Sequence, residues 1–315
     1  MTNAEAKKIN SIYSELIQIT NRLGCTVLTD EPLKNHTSFK IGGPADLFIY
    51  VNNTESLKVI LNIIHKKNIP FFILGNGTNL LVSDTGFRGI VLNLTKNHEK
   101  IIIEHENIIN CSAGIPLAKI CVTALKKGLS GLEFAWGIPG SCGGALYMNA
   151  GAYGNDISDV IIEGTHIKND GTEEVLSKDE LNLSYRKSFY TDKQFIITSM
   201  KMKLTKRPLE IIRAKMYENI TKRKSKQPLE YPNAGSTFKR PEGYYAGTLI
   251  EECGLKGKFV GNAVVSTKHA GFIINTGNAT AQNICDLIKL IKETVYNKTG
   301  VLLQCEIKTL GDINL

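Results

Sequence analysis

Apolar residues recur at helical spacing at Ile9, Ile12, Tyr13, Leu16, Ile19 and Leu23 and stop at Gly24, which predicts a helix closed by a glycine. Leu47 to Val51 reads as a strand, and Thr54 is expected to cap a helix carrying Leu57, Ile60, Ile63 and Ile64. Pro70 breaks that helix before a short buried strand, Phe71 to Leu74. Ile101–Glu104 and Ile108–Cys111 predict a hairpin about Glu106-Asn107, and a helix follows from Pro116 to Lys127, ended by Gly128. Strands at Val160–Ile167 and Phe195–Leu204 bracket a turn at Asn169-Asp170-Gly171. Beyond Arg207-Pro208 the pattern predicts a basic helix to about Lys224, a proline-containing loop and a helix from Ala246 to Cys253. Strands near Ala263 and Phe272, a long helix on Ile284, Leu287, Ile288, Ile291 and Val295, and a final strand from Val301 to Ile307 complete it. Strands and helices mix from about 40 to 205 without the regular βα alternation of a doubly wound sheet, so the fold class is α+β.

The 315 residues are 42% hydrophobic and 22% charged, the balance of a globular chain long enough for two or three cores. No apolar run approaches the roughly 18 residues that cross a bilayer, and MTNAEAKKIN lacks the apolar stretch of a secretory signal. A cytoplasmic protein with no membrane partner is expected. The seven cysteines form no CxxC pair or metal spacing and sit among apolar neighbours, so they read as reduced packing residues, and no metal site is expected. The charge is concentrated: from Lys201 to Arg240 twelve Lys and Arg face three Glu, a local excess above the whole-chain net charge of +8. Such a block fits a solvated helix face, an anionic small-molecule site or a nucleic-acid contact. Without interleaved aromatics or a DNA-binding motif, charge alone does not choose among them.

Two glycine-rich stretches carry candidate chemistry. In the first, a strand runs into Gly75-Asn76-Gly77-Thr78-Asn79-Leu80. Glycine lets backbone N–H groups approach an anion, and Thr and Asn add donors, so a phosphate cradle is plausible. The third glycine of GxGxxG is missing and no GK[ST] follows, so taken alone a tight strand-to-strand turn is the better reading. The second, from Gly137-Ile138-Pro139-Gly140-Ser141 to Gly154, holds six glycines in eighteen residues. Close approach to a flat, phosphate-bearing cofactor is one reason for such a stretch and a surface loop another; the apolar Ile138, Ala145, Leu146 and Met148 argue against a solvated linker.

Taken in order, Asn35-His-Thr-Ser-Phe-Lys-Ile-Gly-Gly-Pro-Ala-Asp46, GNGTNLL, GIPGSCGGALYMNAGAYG, Leu183-Ser-Tyr-Arg186, Pro232-Asn-Ala-Gly-Ser-Thr-Phe-Lys239 and Glu306 in LQCEI resemble the UDP-N-acetylenolpyruvoylglucosamine reductase family from about residue 20 to 310. The resemblance implies an FAD-binding unit of the PCMH or vanillyl-alcohol-oxidase type over 38–206, in two α+β subdomains split near 100. It also implies an N-terminal lead-in over 1–37 and an α+β substrate domain over 207–315. Tyr185-Arg186 runs almost directly into Gln194-Phe-Ile-Ile, so the chain resembles the shorter, second type of the family, which lacks a Tyr-bearing insertion.

The resemblance further implies that NADPH and FAD reduce the enolpyruvyl ether of a UDP-N-acetylglucosamine to UDP-N-acetylmuramate in peptidoglycan synthesis. FAD contacts would come from Gly75, Asn76, Gly77, Thr78, Asn79, Leu80, Gly114, Gly137, Ile138, Pro139, Gly140, Ser141, Gly143, Gly144, Ala145, Asn149, Gly151, Ala152 and Tyr153. Arg186 would stabilise charge growing on the substrate carboxylate, Glu306 would act as an acid in its protonated form or orient Arg186, and Ser236 would protonate C2. Tyr185, Lys226, Asn233, Lys239, Arg240 and His269 would contact the substrate; the family usually has Asn at the position of Arg240. The expected partners are small molecules, with no nucleic acid, acting on a monomer. An FAD-dependent sugar or lactone oxidase of the same fold is the alternative, against which the first loop lacks a His for covalent flavin attachment.

Overall fold

The computed structural model describes residues 3–96 and 100–315, with side chains from residue 12 onward, so Ile9 of the predicted first helix lies outside the described side chains. Contacts divide the chain into two units. One consists of Met1–Thr29, Leu47–Asn76 and Gly89–Ile220; the other of Asp30–Asp46, Gly77–Arg88 and Thr221–Leu315.

The first unit has two hydrophobic cores. Around the Thr54–Lys66 helix, Leu57, Ile60, Leu61 and Ile64 pack at helical spacing on Leu47, Ile49, Ile90 and Leu92. The Phe71–Leu74 strand runs parallel to Phe87–Asn93 there, with Phe71 opposite Ile90. The helix N-cap is Asn53, whose side chain accepts from Ser56 N–H, and not Thr54, which is the first helical residue. The second core lies on an antiparallel five-stranded sheet in the order Glu173–Ser177, Ile161–Ile167, Ile196–Lys203, Ile108–Ser112, Ile101–Glu104. Its Ile101–Glu104 hairpin stands as predicted. The Glu173–Ser177 strand escapes the sequence reading because it is an edge strand with only Leu176 buried.

The Leu117–Lys126 helix packs Leu117, Ile120, Cys121 and Ala124 into this core. A short Cys142–Tyr147 helix stands inside the second glycine-rich stretch, where two glycines mask it from propensity; Ser141 caps it. The Leu209–Lys226 helix buries Ile212, Met216 and Asn219 and leaves its basic residues other than the half-buried Arg223 exposed.

In the second unit, antiparallel Phe259–Val260, Ala263–Val265 and Ile273–Asn275 form a small sheet. Ile284, Leu287, Ile288, Ile291 and Val295 of the Ala281–Thr299 helix pack with Ala263, Val265, Leu249 and Ile250 in its core. A Thr280–Asn283 capping box opens this helix, and Gly300, at φ 72°, ends it. The predicted strand from Val301 to Ile307 is not formed. That segment makes a single bridge, Cys305 to Phe238, and the last strand is Lys308–Leu310, parallel to Leu80–Val82. Glu306 therefore stands just ahead of a strand.

All seven cysteines are free, five of them buried. Among the described residues no group of side chains could hold a metal ion, and no helix is long and apolar enough to cross a membrane.

Candidate functional site

Within the first unit the two glycine-rich stretches meet. Asn76 Nδ2 donates to Pro139 O at 2.9 Å across 63 residues of sequence. A Cβ on Gly75 would stand 2.5 Å from Ser141 Oγ, so a side chain at 75 would force Ser141 to shift. Asn93, not singled out in the sequence, fixes the end of the preceding strand by donating Nδ2 to Leu74 O and Gly75 O. The second stretch is held from below: Cys142 N–H donates to Ile115 O, Gly143 N–H to Ala113 O and Leu117 N–H to Gly140 O. Gly114 lies against the backbone of Leu94, where a Cβ would come 1.9 Å from its carbonyl oxygen. Part of the glycine content thus serves the packing of the loops themselves.

The remaining first-unit residues join the same patch. Asn149, buried and in the left-handed region, donates Nδ2 to Ser184 O and accepts from Ser158 N–H at Oδ1. Its side chain is engaged within the protein, where it ties the backbone at Ser158 to the Ser184–Lys187 turn. Ser184 and Lys187 exchange both backbone hydrogen bonds and leave Tyr185-Arg186 at the tip. Arg186 has φ 56°, a conformation that costs a non-glycine residue about 1–2 kcal/mol. Its Nη2 donates to Gly151 O at 3.3 Å, and its guanidinium lies 5.0 Å from the exposed Tyr185 ring.

The chain passes to the second unit between Asn76 and Gly77. The backbone N–H groups of Asn76, Gly77 and Thr78 have no hydrogen-bond partner among the described residues. In the second unit, the unengaged amides of Gly77 and Thr78, in a loop without an acidic side chain, fit an oxygen-rich anion such as the diphosphate of FAD. Gly77, at φ 61°, is pressed on His36, where a Cβ would come 2.1 Å from the carbonyl oxygen. Its own carbonyl accepts from Ser38 N–H.

Ser38 Oγ donates to Asn233 O, and Asn233 in turn anchors its own loop, donating Nδ2 to Pro228 O and Tyr231 O and accepting from Gly235 N–H. Ser38 was not predicted as a site residue, although it stands in the NHTSFK motif. Asn79 Nδ2 donates to Glu306 O, Glu306 N–H donates to Thr237 O, and Lys239 N–H donates to Gln304 O. Ser236, Lys239 and Glu306 are thereby registered on adjacent backbone. Gly235, at φ 77°, makes the turn that presents Ser236, and the Ser236 hydroxyl has no hydrogen-bond partner among the described residues.

His269 belongs to this network through Thr237 N–H, which donates to Gly271 O. Gly271 N–H donates to His269 Nδ1 at 3.1 Å, which puts the neutral ring's proton on Nε2. Burial, joined by the charges of Lys256 and Lys226, lowers its pKa and keeps the ring neutral. Lys226 is exposed at the end of its helix, and the guanidinium of Arg240 lies 4.1 Å from the centre of the Tyr245 ring.

Residues 45–177 match the sequence model of an FAD binding domain, and residues 227–310 match that of the C-terminal domain of UDP-N-acetylenolpyruvoylglucosamine reductase. A UDP-N-acetylenolpyruvoylglucosamine reductase of Clostridium novyi is 50% identical over 280 residues, 89% of this chain and 91% of its own. The chain belongs to the UDP-N-acetylenolpyruvoylglucosamine reductase family. The reductase of Agathobacter rectalis is 46% identical over 297 residues, 91% of this chain and 94% of its own. The crystal structure of the Thermus caldophilus reductase superposes with a TM-score of 0.78 at 34% identity, covering 91% of this chain and 99% of that one. The chain is accordingly an FAD-dependent, NADPH-using reductase with an α+β FAD-binding domain and the family's C-terminal domain.

Proposed function

We propose that this reductase acts on the enolpyruvyl ether of UDP-N-acetylglucosamine and gives UDP-N-acetylmuramate. Residues 38–206 serve FAD and residues 207–315 serve the sugar nucleotide. The observation that carries the assignment is the Pro232–Lys239 loop. Its serine hydroxyl has no hydrogen-bond partner among the described residues, that serine follows a glycine turn, and its backbone is registered on Glu306.

FAD, when bound, supplies the two-electron chemistry that carries hydride from NADPH to the vinyl carbon. The protein's part is to hold the diphosphate of FAD on backbone amides of the first glycine loop such as those of Gly77 and Thr78, and the second glycine-rich stretch, which Asn76 Nδ2 holds at Pro139 O, also serves the cofactor. Arg186 meets the substrate carboxylate with a planar fork and stabilises the negative charge that grows there as the double bond is broken. Ser236 donates its proton to C2, which completes the two new C–H bonds, and Glu306 acts as an acid or orients Arg186. Lys226, Lys239 and Arg240 hold the UDP diphosphate, while Tyr185, Asn233 and the Nε2–H of His269 complete substrate binding. On this reading the enzyme is a cytoplasmic monomer.

Ser236→Ala tests the assignment by half-reactions. Bleaching of the flavin absorption by NADPH proceeds at the wild-type rate, while its recovery on adding the enolpyruvyl sugar nucleotide slows by about 10²–10⁴. Recovery at the wild-type rate removes Ser236 from proton transfer.

A further inference from the structure

The Arg240-Pro241-Glu242-Gly243-Tyr244-Tyr245 turn has no role in the chemistry above beyond Arg240. Tyr244 N–H donates to Pro241 O, and Gly243, at φ 73°, holds the third position, where a type II turn calls for glycine. The turn reverses the chain and brings Tyr245 back against Arg240, with the guanidinium 4.1 Å from the ring centre. Tyr245 is fixed at its backbone as the N-cap of the Ala246–Glu252 helix, its carbonyl accepting from Leu249 N–H. Its side chain makes no capping hydrogen bond, and the residue remains 61% exposed. A large, rigidly based aromatic ring carrying a cation and open to solvent is a stacking platform for a flat ligand.

Resting on the function proposed above, we infer that Tyr245 stacks the pyrimidine base of the sugar nucleotide, with Arg240 placed at the adjoining phosphate. From Ser236 to Arg240 the chain can span at most roughly 13 Å, the order of length of a hexose with a diphosphate. Ser236 then stands toward the enolpyruvyl end and Tyr245 toward the base. The guanidinium of Arg240 on one face of the Tyr245 ring fixes the ring and the cation together, which an uncharged side chain at 240 could not do.

The test uses the flavin-loaded enzyme. Wild type is first assayed for NADPH-driven reduction of the enolpyruvyl sugar nucleotide; no turnover there defeats the underlying function and leaves binding to be read separately. Calorimetric titration then measures UDP and ADP on wild type, Tyr245→Leu and Tyr245→Phe. UDP affinity is expected to fall about tenfold or more in Tyr245→Leu, since base–aromatic stacking is sequence-tolerant but needs the ring, and to stay within about twofold in Tyr245→Phe. KM for the sugar nucleotide should rise in parallel while flavin reduction by NADPH is unchanged. Equal UDP affinity in all three proteins overturns the inference, and so does a loss confined to ADP, which would give the ring to the dinucleotide. Should Tyr245→Leu fail to fold, Arg240→Gln serves instead: unchanged UDP affinity there also overturns it.

Discussion

The glycine-rich patch of the first unit and the Pro232–Arg240 loop of the second handle their polar groups in opposite ways. In the patch, Asn93, Asn149 and the amides of Cys142 and Gly143 are engaged by neighbouring backbone. In the loop, backbone and Asn233 provide the support, while the Ser236 hydroxyl has no partner among the described residues and Arg240 and Tyr245 face solvent. The difference separates holding from reacting. On the proposed reading, side chains that shape the glycine-rich patch are locked by internal hydrogen bonds, while the backbone amides of the first glycine loop and the Ser236 hydroxyl stay unengaged for the groups they meet.

Substitutions can break that contrast if it is wrong. The largest effect is expected at Arg186. Arg186→Lys keeps the charge but loses the fork, and turnover should fall by about 10² with little change in thermal stability; a melting shift as large as that of a core variant would make Arg186 structural. Next comes the patch. Asn149→Ala removes a donor and an acceptor from a buried site and should lower unfolding free energy by about 1–3 kcal/mol in a denaturant melt. It should also loosen FAD, with the rate of the flavin-loaded fraction little altered.

The smallest effect is in pH dependence. His166 is fully buried, stacked on Phe195 at 4.9 Å, with Tyr190 at Nδ1 and Glu174 Oε2 3.3 Å from Nε2. Burial lowers its pKa below the ordinary 6.5, and Lys168 and Lys193 act in the same direction while Glu174 opposes them. The folded protein therefore binds this proton less readily than the unfolded chain does. The stabilisation is complete above the unfolded value and declines as pH falls from about 6.5 toward the lower folded value. His166→Phe should flatten that decline in melting curves taken across pH 7 to 5; an unchanged slope would assign it to other groups.

Much of this was readable in the sequence wherever periodicity was strong. The Thr54–Lys66, Leu117–Lys126 and Ala281–Thr299 helices and the Ile101–Ser112 hairpin stand where apolar spacing put them. The failures have local causes. Cys142–Tyr147 is helical against its glycines because Ser141 caps it and Ile115 and Ala113 take its first amides. Val301–Ile307 alternates like a strand, yet finds only one bridge, since its partner segment bends at Gly235 and turns away after Arg240. The ordered motifs announced the family, whereas the first glycine loop taken alone reads as a tight turn and the second leaves cofactor binding and a surface loop both open. No pattern, however, could tell which donors are engaged within the protein: the side chains of Asn149 and Asn233 hold neighbouring backbone in place.

The central claim, a flavin-dependent reduction of an enolpyruvyl sugar nucleotide, is tested most directly by following the visible absorption of the purified protein. The flavin bands should bleach on adding NADPH without oxygen and return in a single phase when the enolpyruvyl ether of UDP-N-acetylglucosamine is added, with UDP-N-acetylmuramate formed in equal amount. A protein that takes up no flavin, or whose bleached flavin stays bleached in the presence of that substrate, would contradict the account.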